Sequence, residues 1–432
     1  MKNFAIAFSF LLVTGAVVQA QDLKKAKTAY TITMIKPEKL EEAKVEVDKL
    51  MLDAKTSKQA ESHMLKMQVY SKIAADEVLL AKYPTSDMEA YTALKKYLEL
   101  EPNEEKLKAE RFDGVNNVYS SFFQQGIKFY KAEQWDKAFE KFKNMVAMGD
   151  LLIARKWSTS PFDTTSYLYA AATAQNAKLE SEAVQYYSKL ADIKVNGKDY
   201  EGVYEYLTKY YLNNPNDEQF KKYIALAKEV FPANNLWKDL EFEYTKKNTN
   251  LASFVAKFEA DDAANTLNSE AYFDYGNYFA NDDKIKELPE DQRAQYNKKA
   301  QQAFEKAYQK DTTNGIAAYN AGVTAYTNWE TVAQAARDIK GITADIKVKK
   351  TAANKQAFEA ADQSIAWLEK AHRSLLGKAQ RSNLEKGLLN KSVDLLYNVF
   401  EYKRDMSRGV NPKDYDAYEA KVNYYNGLHA KF

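Results

Sequence analysis

The chain has 432 residues, with 62 Lys plus Arg against 60 Asp plus Glu, three His and no Cys. A chain this close to neutral has no global electrostatic preference for nucleic acid or anionic surfaces, and without cysteine it has no disulfide, thiolate ligand or thiol nucleophile. Only 14 Gly and 8 Pro interrupt it, so intrinsic propensity favours helix, and no stretch alternates like a strand with recurrent hairpin turns.

The first twenty residues carry Lys2 as their only charge, followed by an apolar run from Phe4 to Val13 and on to Val18. This is the pattern of a secretory signal, with the cut expected after Ala20 and the mature chain starting at Gln21. The run is short for a membrane span and is followed by the polar segment from Asp22. No cysteine is present for a lipid anchor, so the expected location is periplasmic or secreted, not as a lipoprotein. Cleavage removes one cation and leaves 61 Lys plus Arg against 60 acids.

From there on one spacing recurs, an apolar residue followed four, seven and twelve positions later. It appears as Ala90, Leu94, Tyr97, Pro102; as Ala138, Phe142, Met145, Asp150; and as Ala183, Tyr187, Leu190, Val195. It returns as Phe220, Ile224, Ala227, Pro232 and as Ala300, Phe304, Ala307, Thr312. Steps of four and three place these side chains on one helical stripe, and the last position is expected to end the helix. Upstream of two of these helices stands a small residue at a fixed distance, Gly126 before Ala138 and Ala171 before Ala183. Phe122 and Phe129 surround Gly126, as Tyr272, Tyr275 and Phe279 surround Gly276. The turn from Lys131 to Ala138 is short enough to force an antiparallel pair.

These residues resemble the tetratricopeptide repeat (TPR), most closely over 119–150 and 164–195 and more loosely toward both ends. The resemblance implies an all-α fold, an α-solenoid with right-handed superhelix built from antiparallel helix pairs. About nine pairs are expected in a single array over 21–432. They fall near 22–54, 56–102, 106–150, 162–195, 198–232, 235–265, 268–313, 315–376 and 379–432. Insertions are expected near 281–296 and 327–356; the second is helix-compatible and either lengthens both flanking helices into an arm or adds a hairpin. In such an array each pair hides its apolar face only against the next, so the polar stretch from Val410 to Phe432 reads as a solvent-facing cap.

Chemistry is sparse. His63, His372 and His429 stand far apart, and no His-Glu-x-x-His or comparable ligand spacing occurs. Neighbouring acids such as Glu41-Glu42, Glu104-Glu105 and Asp261-Asp262 point about 100° apart on a helix and read as solvated faces, the last pair also as helix caps. Gly197-Lys198-Asp199 and Gly377-Lys378-Ala379 fit no phosphate loop. The abundant Tyr and Phe, including Phe142, Tyr187, Phe304 and Trp135, fall on packing positions and read as core knobs rather than stacking platforms. The basic run Lys347, Lys349, Lys350 and Lys355 reads as the solvated face of the second insertion.

No cofactor and no metal are therefore expected, and the partner expected is a protein or peptide rather than nucleic acid. In TPR proteins the first helix of each pair lines a concave, partner-binding face. That resemblance points to Phe123, Ile127, Tyr130, Gln175, Asn176, Lys209, Phe273, Asn277, Tyr319, Val323 and Tyr326 as its exposed inner residues. The function expected is a non-catalytic, exported scaffold for protein-protein interaction. The alternatives are a carbohydrate or cell-wall binder and, less favoured, an enzyme with an unrecognised carboxylate site.

Overall fold

The structure is a computed structural model and describes residues 21–432, so the expected signal segment 1–20 lies outside the described residues. These residues are all helix and turn, with no strand among them. They divide into two compact units, one ending at Tyr244 and one beginning at Thr245.

The first unit opens with α1 (residues 21–33), α2 (Leu40–Leu52), α3 (Ala60–Ala75), the short α4 (Glu77–Lys82), α5 (Ser86–Leu100) and the short α6 (Glu105–Ala109). It continues with α7 (Asp113–Lys131), α8 (Trp135–Ala154), α9 (Thr164–Asn176), α10 (Glu180–Asp192), α11 (Glu201–Asn213) and α12 (Asp217–Val230). Helices α3 and α5, α7 and α8, α9 and α10, and α11 and α12 pack as pairs, and α8 on α9 and α10 on α11 join successive pairs. One cluster of buried side chains runs from Ala26 through Phe122, Phe142, Ala171, Leu190 and Tyr204 to Trp237. That continuity is what a repeat array requires, since an isolated helix pair leaves half of its apolar surface wet.

The small residue of the repeat has a visible cause. A Cβ built on Gly126 of α7 would lie 2.7 Å from the Phe142 ring of α8, closer than carbon atoms approach. Gly276 and Phe304 repeat the arrangement at 2.6 Å in the second unit. The helices therefore pair in the TPR manner, with an aromatic knob of the second helix seated on bare backbone of the first. Burying such a ring contributes about 2–3 kcal/mol.

Turns between paired helices use a device that composition conceals. After α7 the N–H of Gln134 bonds to Phe129 O at 2.9 Å and that of Glu133 to Tyr130 O at 3.0 Å. After α9 Leu179 and Lys178 bond in the same register to Ala174 O at 2.9 Å and Gln175 O at 3.0 Å. These are Schellman closures, in which the residue after the cap turns left-handed. Glycine usually takes that place, but here Glu133 and Lys178 take it, with φ of 55° and 61°.

The second unit begins in α13 (Leu236–Asn248), which crosses the boundary. It contains α14 (Leu251–Ala263), α15 (Ser269–Asn281), the one-turn α16 (Asp283–Lys286), α17 (Glu290–Lys310), α18 (Gly315–Asp338), α19 (Ala344–Leu376), α20 (Asn383–Ser407) and α21 (Pro412–Asn426). Side-chain caps start most of these helices: Asn250, Asn268, Asp282, Asn314 and Asn411 each accept a backbone N–H of the first turn, and Ser382 with Glu385 forms a capping box. Helices α15 and α17, α18 and α19, and α20 and α21 pack closely. The 327–356 segment is helical on both sides of a turn at Gly341, so α18 and α19 run out together as an arm.

Two local expectations fail. Asp150 does not end its helix: α8 continues to Ala154, because Leu151 and Leu152 carry on the apolar stripe against the core while the Asp150 carboxylate accepts the Tyr167 hydroxyl at 3.0 Å. Asp261 and Asp262 cap nothing; both lie in the last turn of α14, where Asp262 accepts the Tyr272 hydroxyl at 2.7 Å and an ammonium hydrogen of Lys306.

Candidate functional site: a tyrosine-lined recess

The first unit holds a recess of about 870 Å³. Its floor comes from α9, whose Ala170, Ala171 and Ala174 are buried while Leu168, Tyr169, Ala172 and Gln175 present the opposite stripe. One wall is α11. Val203, Tyr204 and Leu207 pack inward, and Glu205, Tyr206, Lys209 and Tyr210, at helical steps of one, three and one, point into the recess. Tyr130 at the end of α7, Glu180 and Tyr187 of α10, Asp199 before α11, Gly202 and Val203 in its first turn, and Asn213 and Asn214 at its end complete the lining.

Tyrosine dominates the surface. Tyr130 meets Tyr169 edge to face at 6.1 Å, Tyr187 and Tyr206 lie at 4.8 Å, and Tyr206 and Tyr210 stack at 6.4 Å. Burial pushes the Tyr206 hydroxyl up to about 12, with Glu180 and Tyr210 adding to it, and burial drives Tyr187 up as well. Both hydroxyls are therefore protonated at neutral pH. That of Tyr187 donates to Gln175 Oε1 at 2.8 Å. Lys209 Nζ bonds Glu205 Oε1 at 2.5 Å. With Glu180 and Asp199 also lining the recess, its carboxylates outnumber its one ammonium.

Of the residues expected on a partner-binding face, Tyr130, Gln175 and Lys209 line this recess. Phe123 is half-buried with its edge toward Tyr169 at 5.9 Å, and Ile127 packs partly into the core. Asn176 is exposed, but its amide donates back to Ala172 O at 2.8 Å within its own helix. In the second unit Phe273 is half-buried against Phe304 at 5.7 Å, and Asn277 accepts from Asn320 at 3.5 Å. Val323 packs partly beside Tyr319. Tyr319 and Tyr326 are not exposed as expected. Each is only 9% exposed, Tyr319 packing with Ala318 and Ala371 and Tyr326 against Trp329 at 4.9 Å, because α18 is covered by both α19 and α20.

Sequence reasoning missed Tyr169, Glu180, Asp199, Glu205, Tyr206 and Tyr210, and took Tyr187 only as a knob. Projecting α11 from Lys209 backward and forward along i±3 and i±4 would have found Glu205, Tyr206 and Asn213. Tyr187 serves both roles, its ring buried and its hydroxyl at the recess. His63 Nε2 lies 2.9 Å from Ser57 O, His372 is buried, and exposed His429 faces Asp394 at 2.7 Å. No group of three or more His, Asp or Glu able to hold a metal exists among the described residues.

No family model matches the chain, and no curated protein does. Among solved structures it is similar to a TPR repeats protein from Bacteroides fragilis, at 15% identity over 64% of this chain and 98% of that one, with a TM-score of 0.33. It is also similar to a monomeric IFIT1 mutant solved with Gppp-AAAA, at 14% identity over 91% of this chain and 88% of that one, with a TM-score of 0.19. Superpositions this loose carry no argument; the TPR-like pairing is read from this chain's own Gly126–Phe142 and Gly276–Phe304 contacts.

Proposed function

We propose that the chain is a non-catalytic scaffold, exported through its N-terminal segment, that holds an extended segment of a partner protein in the recess between α7, α9 and α11. The observation that carries this reading is the lining of Tyr130, Tyr169, Tyr187, Tyr206 and Tyr210. Tyrosine supplies large, stiff contact area with a polar tip, the composition of binding hot spots. The excess of carboxylates favours a segment that brings a Lys or Arg beside flat apolar side chains. Its Glu205 carboxylate is already engaged by Lys209 and its amide Gln175 by Tyr187, which suits a surface that grips rather than one that transfers protons.

A peptide array probed with the mature protein should return basic, aromatic-containing segments, and a Tyr130→Ala, Tyr210→Ala variant should weaken them on the order of tenfold or more. Undiminished binding by that variant would remove the recess from the reading. The same tyrosine platform beside Glu180 and Asp199 suits sugar rings, so the second reading is a carbohydrate or cell-wall binder. A glycan array that returns hits lost in the same variant would put it first.

A further inference from the structure

We infer that the tip of the α18–α19 arm is a docking surface for an anionic lipid bilayer. This rests on the second unit alone and is independent of the recess. Between Arg337 and Lys355 stand six cations and two acids, a local excess larger than the +2 of the entire chain. Nearly every side chain from Lys340 to Ala352 is exposed. Many lysines elsewhere are tied to acids, as Lys306 is to Asp262 or Lys421 to Glu369 at 2.6 Å. Lys347, Lys349 and Lys350 make no ion pair among the described residues, and the Lys355 ammonium is 3.9 Å from Glu359.

The second observation is apolar. Ile342 is 86% exposed and Val348 is 69% exposed, among the most exposed large aliphatics of the described residues, and both stand among these lysines. The turn that presents Ile342 is fixed. Gly341 has φ of 119°, and a Cβ there would meet Ile346 Cδ1 at 2.5 Å, so Ile346 folds onto the turn while Ile342 points away.

Cations alone would serve nucleic acid, but nucleic acid offers Ile342 and Val348 no apolar place to be buried, and an acidic protein would need an apolar pocket matched to both side chains between its carboxylates. A bilayer interface offers both, phosphate oxygens for the ammonium groups and the acyl boundary for the aliphatic tips. A second copy of the arm is disfavoured as the occupant by its equal charge. Each lysine near an anionic surface strengthens binding roughly fivefold.

The test is co-sedimentation of the full mature chain with phosphatidylcholine vesicles, with and without phosphatidylglycerol, at low and high salt. Expected are binding to the anionic vesicles only, reversal by salt, and weakening on the order of a hundredfold in K347Q/K349Q/K350Q. I342S/V348S should weaken binding roughly tenfold at unchanged salt dependence. All substituted positions are exposed, and unchanged far-ultraviolet circular dichroism would certify folding. No sedimentation with anionic vesicles, equal sedimentation with pure phosphatidylcholine, or full retention by the triple variant would each overturn the inference. So would salt-sensitive binding to duplex DNA without binding to vesicles.

Discussion

The α7–α8 pair and the α18–α19 pair begin from the same contact and end in different objects. In both, a glycine of the first helix lies under a large side chain of the second: Gly126 under Phe142, and Gly322 under Leu368, whose Cδ2 would stand 2.8 Å from an added Cβ. The first pair closes at once through the left-handed Glu133 and leaves its aromatic edge to the recess. The second runs on. Its seam past Trp329 is mainly alanine, Ala333 clustering with Ala357, Ala360 and Ala361 and Ala336 also buried, until the helices lose their cover near the tip. Tight packing at glycine thus fixes where helices pair, whereas what flanks the glycine decides whether the pair closes or projects.

The comparison breaks most severely at the glycines. Gly126→Val is expected to cost about 3 kcal/mol or more, because the Phe142 ring cannot move without opening the seam to α9. Gly387 of α20 is its control, since nothing lies within 4 Å of a Cβ there; Gly387→Ala is expected to stabilise by about 0.5–1 kcal/mol. Urea denaturation of the two variants checks both, and a neutral Gly126→Val would show that the pair does not depend on that approach.

The turn of the closed pairs should improve with the residue that composition omits. Lys178→Gly relieves a left-handed φ of 61° and is expected to gain up to about 1 kcal/mol, less the added freedom of the unfolded chain. A loss of stability on thermal denaturation would mean that the lysine stem packs more than its backbone strains.

These positions also show what the sequence could tell. The helix pairs were legible because Gly126, Phe142 and their counterparts obey a helical period that sequence alone displays. Left-handed Glu133 and Lys178 were not, since neither is a turn residue by type. Tyr319 and Tyr326 were misjudged as exposed because period tells which stripe a residue occupies but not whether another helix covers that stripe. Tyr210 was overlooked for the converse reason. Nothing in the residue type distinguishes a tyrosine that packs from one beside an opening.

Acid should weaken the packing of α19 on α21 in the second unit. His372 is buried beside Tyr425 at 5.8 Å and Phe432 at 6.4 Å, and its Nε2 has no hydrogen-bond partner. Burial lowers its pKa, Lys421 assists, and Glu369 opposes. The folded chain therefore holds the imidazole neutral. Stability is complete above the ordinary histidine value of 6.5 and falls as pH drops from there through the lowered folded value. His63 is lowered in the same direction, with its bond to Ser57 opposing the effect of burial, so His372→Gln should flatten only part of the slope in thermal midpoint between neutral and mildly acidic pH. An unchanged slope would move the acid sensitivity away from the α19–α21 contact.

The smallest effect belongs to the arm. Ile342 contributes almost nothing to the core of the second unit, being 86% exposed, so Ile342→Ser should change stability by less than about 0.5 kcal/mol. A surface leucine or isoleucine standing alone needs no explanation, but this one follows a turn that glycine alone can make and stands within a run of unpaired lysines. Were Ile342→Ser to lower the melting temperature measurably, the tip would be packed against something in solution, and its apolar side chain would be structural rather than available to a surface.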